Sequence, residues 1–317
     1  MVYGGIDIGG TSVKVGFVDN NGKILCRDLF PVEAIKDYNN FLKSLYSSVK
    51  SLLNQLDNDI IIKGYGVGCP GKINSQKGKV IWCKGKLEYI ENKSLGPDLS
   101  NMLNKPVYCD NDVNSIVLGE TLFGKGKGLD VVIGLTFGTG IGGGIVINGD
   151  IIRGEHFTAG HFGYMSQDSR GRSHESGNSG AVEIHASHSG IIYKVKEAIQ
   201  LGVKTSLKEK FKKSDFGFKY IYEESARGDL LSKRLVNELE KEMSILITNL
   251  VFAFDPSIVL VGGGLLKAEK NILSRIRKRI RKRIGFLDGK EVVVEPMSSY
   301  DEVGILGGAA LAKRELN

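Results

Sequence analysis

The sequence has no apolar run that approaches the roughly 18 residues a membrane-spanning helix needs, and it enters a β-patterned stretch at once, without a charged and then apolar leader. No membrane partner is expected, and the protein is expected in the cytoplasm. Cysteine is scarce: Cys26, Cys69, Cys83 and Cys109 are scattered, with no C-x-x-C pair. That pattern indicates neither a disulfide framework nor a cysteine metal site, and reads as reduced thiols. The formal charge is +7 over 317 residues, yet the densest basic run, Arg275 to Arg283, has no aromatic residue between its charges. Ile272, Ile276, Ile280 and Ile284 recur through it every four residues, the pattern of an amphipathic helix with one buried stripe and a solvated basic face. No helix-turn-helix segment stands ahead of Thr11, so no nucleic-acid partner is expected either. With 41% hydrophobic and 25% charged residues, the composition is that of an ordinary globular chain with room for two domains.

What the sequence does have is a glycine turn between two β-patterned runs, and it has it twice. Gly5 to Asp19 reads as strand, tight loop and returning strand. Gly9 and Gly10 allow positive φ, and a turn built that way points successive N–H groups at an anion. Thr11 adds a hydroxyl donor and Asp7 a carboxylate. A carboxylate beside a phosphate cradle repels the phosphate unless a cation lies between them, which calls for Mg²⁺ held by Asp7 through water. The second copy runs from Asp130 to Ile152, with Gly138, Thr139 and Gly140 opening its loop and an Asn148-Gly149 hairpin turn behind it.

Two other motif readings fail on context. Gly138 to Gly143 satisfies G-x-G-x-x-G, but that dinucleotide motif needs a helix after it, and Ile145-Val146-Ile147 is a strand pattern. Gly119 to Lys125 spells most of a phosphate-binding P-loop, but Gly126 stands where the Mg²⁺-binding Ser or Thr should be and no strand precedes it.

Between and after the clips the pattern alternates strand and helix. Asp37 caps a predicted helix with Phe41, Leu42, Leu45, Val49, Leu52, Leu53 and Leu56 on one face. A buried strand, Ile60 to Gly68, ends in the turn Gly68-Cys69-Pro70-Gly71, and short strands are predicted at Val80 to Trp82 and Val107 to Cys109. The last runs into Asp110-Asn111-Asp112 and a helix from Val113 to Leu122. Asp112 at such a junction is either an N-cap or a side chain facing a cleft, and the two roles are compatible in part. Residues 153–183 are predicted as loop, followed by helices over Ala181 to Gln200, with His185 and His188 as a surface pair, and over Ser232 to Phe254. A buried strand, Ser257 to Val261, leads into Gly262-Gly263-Gly264, where a flat group such as adenine can lie against backbone. The basic helix, a strand at Glu291 to Glu295 and a helix from Glu302 to about Ala312 complete the chain.

Taken together, the pieces resemble the ROK family of repressors, open reading frames and sugar kinases. The match is carried by Asp7 to Thr11, Gly68 to Gly71, Asn111-Asp112 with Asn114, Gly119-Glu120, Gly138 to Gly144, Ala159-Gly160, Glu183, Asp255-Pro256 and Gly262 to Gly264. The resemblance implies a two-lobed α/β fold, the actin-like ATPase (ribonuclease H-like) fold, with the active site in the interlobe cleft. Residues 1–112, completed by the helix at about 302–317, would form the small lobe and residues 113–301 the large one. It further implies ATP and Mg²⁺ as cofactors, a hexose-like substrate such as glucose or an N-acetylhexosamine phosphorylated on its primary hydroxyl, and a homodimer. Asp112 would be the general base, and Gly71, Asn111, His161, Tyr164 and Glu183 the substrate contacts. Asp7, Gly9, Gly10, Thr11, Gly138, Thr139, Gly140, Gly262, Gly263 and Gly264 would hold the nucleotide.

The sequence departs from the family in one place. The family's Ala-Gly-Glu-x-Gly-His appears as Ala159-Gly160-His161-Phe162-Gly163-Tyr164, and its zinc cysteines align with His174, Ser176 and Ala181. A Cys₃His zinc site cannot form from Tyr164, His174, Ser176 and Ala181, so no structural zinc is expected. All five histidines (156, 161, 174, 185, 188) lie in this stretch, and a site rebuilt from some of them is the alternative. His161, where the family has glutamate, offers a donor and an acceptor in place of a carboxylate. Glucose is therefore not assured, and a glycoside, an amino sugar or a polyol stays open, as does a non-catalytic sugar sensor.

Overall fold

The first clip is a hairpin of β1 (Val2–Ile8) and β2 (Ser12–Asp19), extended antiparallel by β3 (Ile24–Pro31). Ile6, Ile8, Val13 and Val15 from its strands are fully buried. The structure, a computed structural model, describes residues 1–57, 59–285, 292–299 and 302–317. Helix α1 (Tyr38–Leu53) is capped by Asp37, whose carboxylate accepts the Asn40 N–H at 2.9 Å, and Phe41, Leu42, Leu45, Val49 and Leu52 are its buried face. There follow β4 (Ile62–Cys69), the antiparallel pair β5 (Lys72–Asn74) and β6 (Lys79–Trp82), α2 (Leu95–Leu103), β7 (Val107–Asn111) and α3 (Asp112–Phe123). The second clip is β8 (Val131–Phe137) and β9 (Ile141–Ile147). It turns into β10 (Asp150–Ile151) at Asn148 and Gly149, with φ of +52° and +82°, both central residues left-handed as that hairpin turn requires. Next come α4 (Val182–Ala186), α5 (His188–Gln200), α6 (Leu207–Lys210), α7 (Phe218–Ala226) and α8 (Leu230–Phe254). Strand β11 (Ile258–Gly262), α9 (Gly264–Ala268), α10 (Ile272–Arg283), β12 (Val294–Pro296) and α11 (Val303–Leu316) finish the chain. One sheet has the order β3-β2-β1-β4-β7 and the other β10-β9-β8-β11-β12.

The chain forms two compact units: Met1–Val132, Gly144–Gly160 and Met297–Asn317 in one, Ile133–Gly143 and His161–Pro296 in the other. In the first unit β1, β4 and β7 run parallel, with Asp7 paired to Gly68 and Cys69 to Asn111. That register brings the carboxyl ends of three strands to one edge, and with them Asp7, the Gly68 to Gly71 turn and Asn111-Asp112. Helix α11 lies against β1 and β4 so closely that a Cβ on Gly5 would run into the Ile305 carbonyl and one on Gly66 into the Gly308 carbonyl. Only glycine permits that approach.

In the second unit α8 buries Leu235, Leu239, Met243, Leu246, Ile247 and Leu250. Helix α10 buries Ile272, Ile276, Ile280 and Ile284, the stripe expected from their spacing. On its basic side Arg275 pairs with Glu240 at 2.6 Å and Arg277 with Glu295 at 2.7 Å.

Several elements differ from expectation. The helix expected over Ala181 to Gln200 is broken at Ser187, which ends α4 and caps α5, its hydroxyl accepting the Gly190 N–H at 3.0 Å. A serine hydroxyl that replaces a backbone acceptor favours such a start over a helix interior. His185 and His188 therefore fall on different helices and are not a surface pair: His185 Nδ1 meets Glu238 at 3.1 Å and His188 Nε2 meets the Phe216 carbonyl at 3.0 Å. The edge strand β3 and helices α2, α6 and α7 are not among the expected elements. Strand β12 is Val294–Pro296, Glu291 lies outside the described residues, and α11 runs on to Leu316. The expected loop at 153–183 holds local order, a 3-10 turn at Phe162–Tyr164 and bridges pairing Ser166 with Ala181 and Ser173 with Ser179. The four cysteines are free thiols, and among the described residues no helix is long and apolar enough to cross a membrane.

Candidate active site

In the first unit the β7–α3 junction sets the position of Asp112. The N-cap of α3 is Asn111, which corrects the alternative that Asp112 serves as cap: Asn111 Oδ1 accepts the N–H groups of Val113 at 2.9 Å and Asn114 at 3.3 Å. The same amide donates to the Gly71 carbonyl at 3.0 Å, so Gly71, Asn111 and Asp112 lie together. Gly71 itself sits at φ +95°, in the left-handed region that favours glycine. With capping done by its neighbour, Asp112 is left as the first helical residue, its Oδ1 accepting the adjacent Val113 N–H at 2.9 Å. Burial, and next the negative charge of Asp7, push its carboxyl up to about 6. Burial also raises Asp7, against the opposing pull of Lys14, whose Nζ lies 3.5 Å from Asp7 Oδ2.

Beneath this junction is a pair that sequence reasoning missed. Asp110 is buried, accepts the Asn111 N–H at 2.7 Å and the Asn114 amide at 3.0 Å, and is ion-paired to Arg153 Nε at 2.5 Å. Nothing local to Asp110 signals a partner so far along the chain.

Gly9 and Gly10 are placed differently from the expectation of positive φ, since neither is left-handed, and Gly138 and Gly140 are not left-handed either. What distinguishes Gly10 and Gly138 is space: a Cβ on either would meet nothing within 4 Å. Such open backbone is what a phosphate can approach. Gly9 N–H is spent on the Ser12 carbonyl at 3.0 Å, and Thr11 is exposed beside it. In the second unit, the Gly138 and Thr139 carbonyls accept from the first turn of α5, the N–H groups of His188 at 2.9 Å and Ser189 at 3.2 Å. A cavity of about 520 Å³ opens there, lined by Gly138, Thr139, Phe218, Lys219, Gly264 and Lys267 among others. Gly263 has φ +94° and a Cβ there would strike the Phe137 carbonyl, so the Gly262 to Gly264 turn is bound to glycine and brings Gly264 to the clip. Phe218 and Lys219 sit in the stretch where no element was predicted. A larger hollow, about 700 Å³, lies along the basic side of α10 between Arg277, Lys278, Arg281 and Lys282, and has none of the predicted site residues.

The third group is also in the second unit. Glu183 Oε2 accepts the Ile141 N–H at 2.5 Å and Oε1 faces His174 Nε2 at 3.1 Å. A Cβ on Gly140 would strike that carboxylate, which explains the glycine there. Tyr164 stands between His161 and His174, its ring centroid 5.5 Å from one and 5.0 Å from the other. The predicted His161, Tyr164 and Glu183 are thus gathered into one row, with His174 as the link.

A mixed α/β chain with these two sheets and two glycine hairpins has the actin-like ATPase fold, and its enzyme class is that of the sugar kinases. The chain belongs to the ROK family, whose model matches residues 3–315. It is 28% identical to the glucokinase of Thermotoga maritima, over 98% of this chain and 97% of that protein. The solved structure of a ROK glucokinase from Streptomyces griseus, in complex with glucose and AMPPNP, superposes with a TM-score of 0.78 at 26% identity, covering 99% of this chain and 100% of that one. A ROK family transcriptional regulator, a homologue of an E. coli protein, superposes at 0.82 with 25% identity, over 99% of this chain and 78% of its own.

Proposed function

We propose that the protein transfers the γ-phosphoryl group of ATP to a primary hydroxyl, the 6-hydroxyl, of a hexose or hexose derivative, with Asp112 as general base. The observation that carries this reading is the state of Asp112: relieved of capping by Asn111 and raised to about 6. A base in that range is ionised at neutral pH yet basic enough to take a hydroxyl proton. The hydroxyl oxygen attacks the γ-phosphorus, its proton passes to the Asp112 carboxylate, the bond to the bridging oxygen breaks, and ADP leaves. Such transfer is mostly positioning and charge stabilisation.

The remaining groups supply the positioning. Gly10 and Gly138 leave backbone open to phosphate, Lys219 and Lys267 bring positive charge to the cavity at Gly138, and Gly264 offers a flat wall for adenine. The reading assigns the sugar hydroxyls to Asn111 in the first unit and to His161 and Glu183 in the second. Mg²⁺ fits the donor set through Asp7, because that ion is commonly held by one or two carboxylates with phosphates and waters. When bound, the ion would neutralise charge on the β- and γ-phosphates.

A sugar sensor without catalysis is the rival, favoured by the likeness to a regulator. A sensor needs neither the open backbone at Gly10 and Gly138 nor the Gly262 to Gly264 turn beside the second clip together with Asp112, which is why we prefer the kinase. The deciding experiment is a screen of ADP formation with hexoses, N-acetylhexosamines, glycosides and polyols, with the product identified by ³¹P NMR. A 6-phosphate of at least one member is expected; sugar binding without phosphorylation across the panel would establish the sensor instead.

A further inference from the structure

Where the family places a zinc ion, this chain has Tyr164, His174, Ser176 and Ala181, and one imidazole with a phenol, an alcohol and a methyl group is not a zinc donor set. The same four positions are nonetheless tied together by other means. The Tyr164 and His174 rings pack at 5.0 Å, and the Asn178 amide donates to the Tyr164 carbonyl at 3.0 Å. The His174 and Asn178 backbones are joined at 2.8 Å, and Ser166 bridges to Ala181. At the centre is His174, whose side chain is only 8% exposed. Its Nδ1 accepts the Ser176 N–H at 3.1 Å and lies 2.8 Å from the Ser176 hydroxyl. A nitrogen that accepts a backbone N–H bears no proton of its own; with Nδ1 in that role the ring proton falls on Nε2, which faces Glu183 Oε1 at 3.1 Å.

We infer that His174 is a positioning residue: in place of a metal, its imidazole fastens the 164–181 segment and donates from Nε2 to Glu183, fixing the carboxylate that meets the sugar. The sugar clause rests on the function proposed above; the fastening does not. Glu183 is then held at both oxygens, by the Ile141 N–H on one side and by His174 on the other. A carboxylate so held keeps its remaining lone pairs aimed in one direction, which is what selective recognition of a hydroxyl demands.

Two measurements test this. On native protein without substrate, ¹⁵N NMR of labelled histidine, with His174 assigned by its loss in His174→Gln, should show a neutral ring protonated at Nε2. A proton on Nδ1 would contradict the fastening, and this readout holds even if no sugar is phosphorylated, an outcome that removes the kinase reading alone. In kinetics, His174→Ala should raise KM for the sugar roughly tenfold or more, with KM for ATP unchanged and kcat within a few-fold of the parent. His174→Gln, which keeps a side-chain N–H at similar reach, should recover most of the loss. Were His174 merely structural, both variants would lower kcat through a smaller active fraction and leave both KM values alone, and that result would overturn the inference.

Discussion

At the start of α3 a carboxylate is placed by backbone, whereas at the start of α4 one is placed largely by a side chain. Asp112 stands where it does because Asn111 caps the helix and β7 is in register with β4, features within a few residues of it. Glu183 stands where it does because Ile141 and His174, each from a separate segment, hold one oxygen apiece. The first arrangement retains Asn111, Asp112 and Asn114, which carry part of the family resemblance. The second departs from the resemblance at His161, Tyr164, His174, Ser176 and Ala181, and ring contacts and hydrogen bonds tie the segment there. On the proposed function, catalytic placement and substrate placement are separable, and substitutions should split accordingly.

The largest effect is expected at the backbone-set site: Asp112→Asn should lower kcat by about two to four decades while leaving ATP affinity intact, the usual span for a general base. Near-parental turnover would remove Asp112 from the chemistry and collapse the contrast. Gly138→Val comes next. Because a Cβ there meets nothing within 4 Å, the fold should be undisturbed, and ATP affinity should drop roughly tenfold or more through blocked backbone approach. Calorimetry showing parental affinity would mean that no phosphate lies over this loop. Smaller is the shift at the side-chain-set site, where His161→Glu should raise activity on glucose or N-acetylmannosamine relative to the native substrate by about tenfold, equivalent to about 1.4 kcal/mol. An unchanged substrate ranking would make His161 a packing residue. The smallest effect expected is none: a chelator that removes zinc should leave the melting temperature unchanged, unlike in domains whose metal contributes folding free energy. One zinc per chain by elemental analysis would favour a site rebuilt from the histidines.

How much of this was legible in the sequence follows the same division. Both clips, the α1 face, the isoleucine stripe of α10 and the Asn111-Asp112 junction are written in local spacing, and local spacing is where hydrophobic period and capping chemistry act. Gly10 is expected to serve through positive φ, and the structure gives it open space instead, as it does Gly138. The Asp110–Arg153 pair and the His174–Glu183 contact were not legible, because each depends on which segments the fold brings together. The break at Ser187 was missed because a serine within a helical period looks solvent-facing until its hydroxyl is seen to cap the next helix.

The central claim, that Asp112 is the base, is tested most directly by the acid limb of the pH–rate profile, with ATP kept saturated with Mg²⁺. Because burial and Asp7 raise the Asp112 carboxyl to about 6, its ionised, active form is present above that value and is lost as the pH falls through it. The sign for stability is opposite: the neutral carboxyl is the form that burial favours, so its contribution is present below the ordinary carboxylate range near 3.9 and is lost as the pH rises through about 6. The account predicts that kcat/KM for the sugar falls about tenfold per pH unit below roughly 6 in the parent, and that the residual activity of Asp112→Asn lacks this limb. A parental profile flat from pH 7 to pH 5, or the same limb in the variant, would contradict it.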